Sequence, residues 1–119
     1  MQLKMLQAKL HRVRLTEADL DYEGSCGVDQ TLLEASGIRP FQYIEIYNVT
    51  NGQRFATYTI QAERDSGIIS LNGAAARRGM RGDLLIIAAY ADFTLAELET
   101  YKPKIVLVDE HNRPRPPPG

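Results

Sequence analysis

Tryptophan is absent from this chain, cysteine occurs once and histidine twice. Cys26 has no partner for an internal disulfide, which fits a reducing compartment. His11 and His111 stand at opposite ends of the sequence, so no metal-ligand spacing exists and no metal is expected. No apolar run approaches the roughly 20 residues that span a bilayer, and no signal-peptide pattern opens the chain. The expectations are therefore no membrane partner and a cytoplasmic location. Neither sign of charge prevails either. Fourteen Lys and Arg face 15 Asp and Glu, for a net charge of −1, which leaves no electrostatic case for nucleic acid or an anionic membrane. No internal repeat appears. At 119 residues the chain has the length of one domain, enough to bury about two thirds of its surface.

Hydrophobic periodicity supplies most of the architecture. Across residues 3–15, Leu6, Ala8 and Leu10 alternate with Gln7, Lys9 and His11, the period-2 pattern of a strand. Lys9, His11 and Val13 then share one side, where the two basic groups read either as solvated charge or as counter-charges for an acidic ligand. Residues 16–19 are a polar break. A short helix is predicted over 28–37, with Asp29 as N-cap and Gly37 at the left-handed C-terminal position. A strand begins at Tyr43, and Asn51-Gly52 predicts a two-residue type I′ hairpin turn. The returning strand, 53–62, puts Arg54, Ala56, Tyr58 and Ile60 on one face and Phe55, Thr57 and Thr59 on the other. Arginine beside tyrosine suits a carboxylate, since the guanidinium fork grips it bidentately and a phenol can give a proton.

A third strand, 68–71, runs into Asn72-Gly73-Ala74-Ala75-Ala76. That run reads equally as a small-residue turn, a helix start, or a nest of backbone N–H groups open to an anion. Arg77, Arg78 and Arg81 read as solvated charge. Residues 84–90 predict a buried strand, Thr94 and Glu97 a capping box for a helix over 95–101, and 105–108 a last strand. The Pro-rich segment 112–119 is expected to be a disordered tail, leaving 1–111 as the single domain. Many short strands with few helices predict a mainly β fold, a small closed barrel.

Gly24-Ser25 alone reads as a turn. Its setting changes that reading. Leu10-His11-Arg12-Val13, Ala18-Asp19-Leu20 and Tyr22-Glu23-Gly24-Ser25-Cys26 resemble the amino-terminal part of the bacterial aspartate 1-decarboxylases. Tyr47-Asn48-Val49-Thr50-Asn51-Gly52, Arg54-Phe55, Thr57-Tyr58 and Ile68-Ile69-Ser70-Leu71-Asn72-Gly73-Ala74-Ala75-Ala76 resemble the same family, in its order and spacing to about residue 90.

In that context the serine gains a chemistry. Its hydroxyl can attack the Gly24 carbonyl through a five-membered ring, a proximity advantage that can reach roughly 10⁵–10⁸ M. The acyl group moves from nitrogen to oxygen, β-elimination cuts the chain, and hydrolysis of the resulting dehydroalanine leaves a pyruvoyl group at position 25. The resemblance implies a short β chain (1–24) and an α chain (25–119), assembled as a homotetramer of processed protomers in a small double-psi β-barrel with short helices. It implies L-aspartate as substrate, joined to the pyruvoyl cofactor as a Schiff base and released as β-alanine for pantothenate and coenzyme A. It assigns Tyr58 as proton donor and Thr57, Asn72, Gly73, Ala74 and Ala75 as substrate-binding. Arg54 and Lys9 would hold a carboxylate, with His11 as an accessory. Some members use a maturation partner and others do not. Cys26, on the wrong side of the scissile bond, is expected to be a bystander.

Two other readings stand beside this one. Pyruvoyl decarboxylases of histidine, arginine or S-adenosylmethionine cut at Ser-Ser or Glu-Ser in mostly longer chains. A non-enzymatic barrel module would keep its full mass. Ser25→Ala is expected to give one uncut, inactive chain, and intact mass spectrometry beside the cut parent protein checks it.

Overall fold

The computed structural model describes residues 1–116. Nine strands, two short α-helices and one 3-10 helix follow in chain order. They are β1 (Gln2–Arg14), β2 (Glu17–Asp19), β3 (Ser25–Asp29), α1 (Gln30–Ser36), β4 (Tyr43–Asn48), β5 (Arg54–Ala62), β6 (Ile69–Asn72), the 3-10 helix Gly73–Arg78, β7 (Leu84–Thr94), α2 (Leu95–Leu98), β8 (Lys104–Val108) and β9 (Pro114–Arg115). The fold is mainly β, as expected.

The strands lie in the order β2-β6-β3-β5-β4-β7-β1-β8-β9. Because β2 continues β1 across Leu15-Thr16, the first seven places of that order close on themselves. Thr16 makes the joint: its N–H donates to Ile69 O at 2.8 Å, while its Oγ1 accepts from Ile69 N at 3.0 Å. Next to it, Leu15 N–H donates to Asp83 O at 2.8 Å. Closure removes the unpaired edges an open sheet would present. Two insertions give the barrel its crossed connections. β3 slots between the consecutive strands β5 and β6, parallel to the first and antiparallel to the second. The β1–β2 segment slots in the same way between β6 and β7. Two such psi-shaped insertions make the double-psi barrel.

Alternation fills the interior. Leu10, Cys26, Val28, Ile44, Ile69 and Ile87 are all fully buried in one core. α1 covers one part of it with Leu32 and Leu33, capped as expected by Asp29, whose Oδ1 accepts from Thr31 N at 2.8 Å, and ended by Gly37 at φ 77°. The predicted capping box of Thr94 and Glu97 is present, although α2 stops at Leu98.

Several sequence expectations are corrected. Asn51-Gly52 is not a two-residue type I′ turn, because Gly52 (φ 79°) lies in the left-handed region and Asn51 does not. A longer loop, 49–52, forms instead, organised by the buried Asn48, whose Oδ1 accepts from Thr50 N and Asn51 N. Val28 belongs to β3 rather than to the helix. The tail expected from residue 112 is ordered through its first part. Asn112 is buried, and Pro114–Arg115 pairs with β8. The remainder of that tail, 117–119, lies outside the described residues.

Asn112 stitches three segments together. Its Oδ1 accepts from Arg14 N, and its Nδ2 donates to Arg14 O and Gly67 O, at 2.8, 2.8 and 2.9 Å. It also occupies the left-handed region at φ 59°, which asparagine accepts more readily than alanine. Asn112→Ala is expected to lower the unfolding free energy by about 3 kcal/mol through the polar groups it strands. Urea denaturation measures that loss directly.

Candidate active site

Ser25 opens β3 at the point where the ladder begins. Its neighbours Cys26 and Val28 face the core, so Ser25 and Gly27 face the opposite side. Ser25 is nevertheless buried, at 1% exposure. Its Oγ donates to Glu23 O at 3.2 Å and accepts from Asn72 Nδ2 at 3.0 Å, Asn72 being its ladder partner on β6. A bent segment at 23–25 with its hydroxyl so held keeps Oγ close to its own upstream chain.

Gly73 supplies the seat for that segment. It sits at φ 63°, and a Cβ built on it would lie 2.7 Å from Gly24 Cα, 2.7 Å from Gly24 N and 2.8 Å from Tyr22 O. Nothing larger than glycine fits while residues 22–24 rest there. By contrast, a Cβ on Gly24 would meet nothing within 4 Å. Thus the steric demand for glycine falls on position 73, across from the Gly24-Ser25 segment. Ala74 and Ala75 follow in the 3-10 helix, with Ala74 exposed and Ala75 partly packed on the core.

β5 is the other neighbour of β3. Cys26 pairs with Thr59 in parallel register, so the residues that precede them, Ser25 and Tyr58, stand next to that first pair. Thr59 faces the core with Cys26, and Tyr58 therefore shares the outward side with Ser25. The register of β5 against β4 runs without a shift from Arg54 to Tyr58. No bulge re-aims Thr57 or Tyr58, and the two do point to opposite faces. Tyr58 is 37% exposed and stacks on Phe41 with centroids 6.2 Å apart.

The remaining sequence candidates lie elsewhere in the chain. Arg54 is four residues from Tyr58, about 13 Å along a strand, and its guanidinium lies 4.0 Å over the Tyr47 ring on β4, away from β3. Tyr47 hydrogen-bonds Tyr90 hydroxyl to hydroxyl at 2.8 Å and donates to Glu45 at 3.3 Å. Burial, the Tyr90 hydroxyl and the Glu45 carboxylate push the Tyr47 phenol above its ordinary pKa. Lys9 and His11 are on β1, inside the sheet between β7 and β8. β1 pairs with β7 and β8 there, and with neither β3 nor its neighbours β5 and β6. Burial, then Lys9 and Arg12, lower the His11 pKa, and its buried Nδ1 has no partner. One protomer thus gathers Ser25, Gly24, Asn72, Gly73, Thr57 and Tyr58, and leaves Arg54, Lys9 and His11 on another part of its outer face.

Two contributors escaped the sequence reading. The Glu23 carbonyl that accepts from Ser25 carries no side-chain signal. The fit of Gly73 against Gly24 depends on a contact between segments nearly fifty residues apart, which only the left-handed glycine hinted at. Cys26 is inert by environment, since burial pushes its thiol up to about 12.

Residues 1–115 match the model of the family described as aspartate decarboxylase. Among curated relatives, an aspartate 1-decarboxylase of Bordetella avium is 64% identical over 113 residues, covering 95% of this chain and 93% of its own. One from Methylobacillus flagellatus is 62% identical, covering 95% and 90%. One from Cupriavidus taiwanensis is 62% identical over 112 residues, covering 94% and 93%.

Gly73→Ala is expected to unseat residues 22–24. A left-handed alanine alone costs about 1–2 kcal/mol, and the backbone overlap adds to it. Amide exchange in 22–24 should quicken, and any cleavage after Gly24 should slow by more than about tenfold. Hydrogen exchange and intact mass follow the two effects.

Proposed function

The chain belongs to the aspartate decarboxylase family, and on that premise we propose that it decarboxylates L-aspartate to β-alanine with a pyruvoyl group made from its own Ser25. The observation that carries the reading is the buried Ser25 hydroxyl, held between Glu23 O and Asn72 Nδ2 at the first residue of a strand paired on both sides.

In self-cleavage, Oγ adds to the Gly24 carbonyl carbon, the C–N bond breaks and the amine of residue 25 takes the proton. The ester then loses its Cα proton, and Gly24 leaves as a carboxylate. Water converts the dehydroalanine to the ketone and releases ammonia. Asn72 steadies the hydroxyl, Gly73 seats the upstream segment, and Thr57, on the neighbouring strand β5, supports the developing oxyanion. The residues fit the group they are asked to carry: position 25 is buried and flanked by the Asn72 amide donor. When formed, the ketone accepts the substrate amine and draws off the electron pair left as CO₂ departs.

The chain's own side chains do the rest. Tyr58, next to the first β3–β5 pair and on the same side as Ser25, returns a proton to the substrate Cα. The backbone of Gly73, Ala74 and Ala75 receives a substrate carboxylate, with Asn72 beside it. Arg54 and Lys9 are cations suited to the second carboxylate and His11 is an accessory, and in this reading all three serve a Ser25 of another protomer. Phe41 supports such an assembly. It stands 75% exposed at φ 67° beside Tyr43, at 64%, over a shallow apolar groove. An aromatic residue held out of the core in a disfavoured conformation is what a subunit contact would stabilise. We assign this face to contacts within a homotetramer of cut protomers.

Tyr58→Phe separates the stages. It is expected to cleave at the parental rate, giving the 1–24 and 25–119 chains, yet to lose roughly 10²–10⁴-fold in turnover for want of the proton. Intact mass and β-alanine release measured on one sample test both halves. Normal β-alanine release would remove Tyr58 from the mechanism. A parent protein that stays uncut and active would remove the pyruvoyl group.

A further inference from the structure

Two adjoining clefts, of about 630 and 320 Å³, share Arg14 and Glu110. None of the residues gathered around Ser25 lines either one. Five arginines do: Arg14, Arg81 and Arg113 border the larger cleft, and Arg12, Arg14 and Arg115 the smaller. In a chain of net charge −1 with 14 Lys and Arg, five cations in one place reflect the fold and not the composition.

Five arginines outnumber the acids that share the lining, Asp109 in the smaller cleft and Glu110 in both. Among the described residues no salt bridge involves any of the five. Asp109 accepts from His111 N at 2.8 Å and Arg113 N at 3.0 Å, and these backbone donors, with the nearby Arg113 charge, hold its carboxyl below the usual range. Glu110, exposed at the rim, lies 3.5 Å from His111.

The gathering is structural. After β8 the chain doubles back, so that Arg115 pairs with Leu107 and Pro114 with Val108. Buried Asn112 ties that return segment to both backbone groups of Arg14. Arg12 stands at φ 62° where β1 bulges between Leu10 and Val13. Like charges brought together repel, and the fold bears that cost unless an anion sits among them.

We propose that this double cleft binds a phosphorylated small molecule bearing two or more linked phosphate groups. Guanidinium forks match phosphate oxygens bidentately, and arginine is the residue suited to that geometry. The space is that of a small-molecule site, about 300–1,000 Å³. A nucleic-acid polymer fits less well, because the site is concave and the chain as a whole carries no net positive charge to attract one. His11, an accessory in the decarboxylase reading, borders the smaller cleft, while Ser25 and the residues gathered around it border neither.

Isothermal titration of the full-length protein with pyrophosphate is the test. Saturable binding tighter than about 1 mM at low salt is expected, weakening as sodium chloride screens it. Arg14→Gln with Arg113→Gln should weaken it at least about tenfold, equivalent to ~1.4 kcal/mol. Arg64→Gln, outside the clefts, should bind as the parent does. Should the first pair unfold the protein, Arg12→Gln with Arg115→Gln takes its place with the same expectation. Absence of binding, binding indifferent to both arginine pairs, or tighter binding of a short oligothymidylate than of pyrophosphate would each overturn the proposal.

Discussion

The constraint on which the rest depends is the insertion of β3 between β5 and β6. A strand hydrogen-bonded on both sides cannot shift or rotate without breaking two ladders at once. Ser25 is its first paired residue, and Gly24 precedes the pairing. The amide between them therefore joins a fixed body to a segment held only by packing on Gly73 and by local hydrogen bonds. Distortion introduced upstream has nowhere to go but into that link. Cutting there leaves the downstream ladder whole, so a group formed at position 25 inherits a position set by two neighbouring strands.

That arrangement also explains how the labour divides over the surface. Ser25, Asn72 and Gly73 sit where β3 meets β6, and Tyr58 is one strand away on the same side. Arg54, Lys9 and His11 lie on the β5-β4-β7-β1 part of the sheet and are held among neighbours of their own, Tyr47 under Arg54 being the clearest case. A barrel whose inside is filled by leucine, isoleucine and valine has no internal cavity in which to reunite them. In the proposed homotetramer a second protomer would bring them together, with the exposed Phe41 and Tyr43 as the proposed contact surface.

Much of this was legible in the chain. Alternation in β1 and β5, the capping residues Asp29 and Thr94, and the left-handed Gly37 are local signals with local causes, and they located their elements. Within β1 the expected faces fail past Leu10, because a bulge at Arg12 turns Val13, expected beside Lys9 and His11, into the core. The other failures share a different cause. Asn51-Gly52 carries a hairpin signature, but Asn48 accepts from two loop amides and offers the backbone another solution. Residues 112–116 have a tail's composition, yet Asn112 is recruited by Arg14 and Gly67, 98 and 45 residues away. β3 was hidden because Ser-Cys-Gly-Val-Asp lacks a strand's usual bulk and gains its partners from distant segments. The candidate residues were found by family resemblance. Their division between two regions of the surface was not, since register and sheet order are properties of the whole barrel.

Register finally decides which hydroxyl or thiol can act. Ser25 and Cys26 are adjacent nucleophiles, and period-two alternation sends one to each side of the sheet. As paired, Cys26 enters the core among Val28 and Leu71, where burial pushes its thiol up to about 12 and leaves it protonated and unreactive. Ser25 emerges beside Asn72. A slip of one residue would exchange them and turn the serine into the apolar core. Gly27 stands opposite Ser70 in that ladder, and a larger residue at 27 would have to turn the Ser70 hydroxyl aside. What holds the register is pairing on both sides of β3, Cys26 with Leu71 and with Thr59, and that pairing keeps the two side chains on opposite faces.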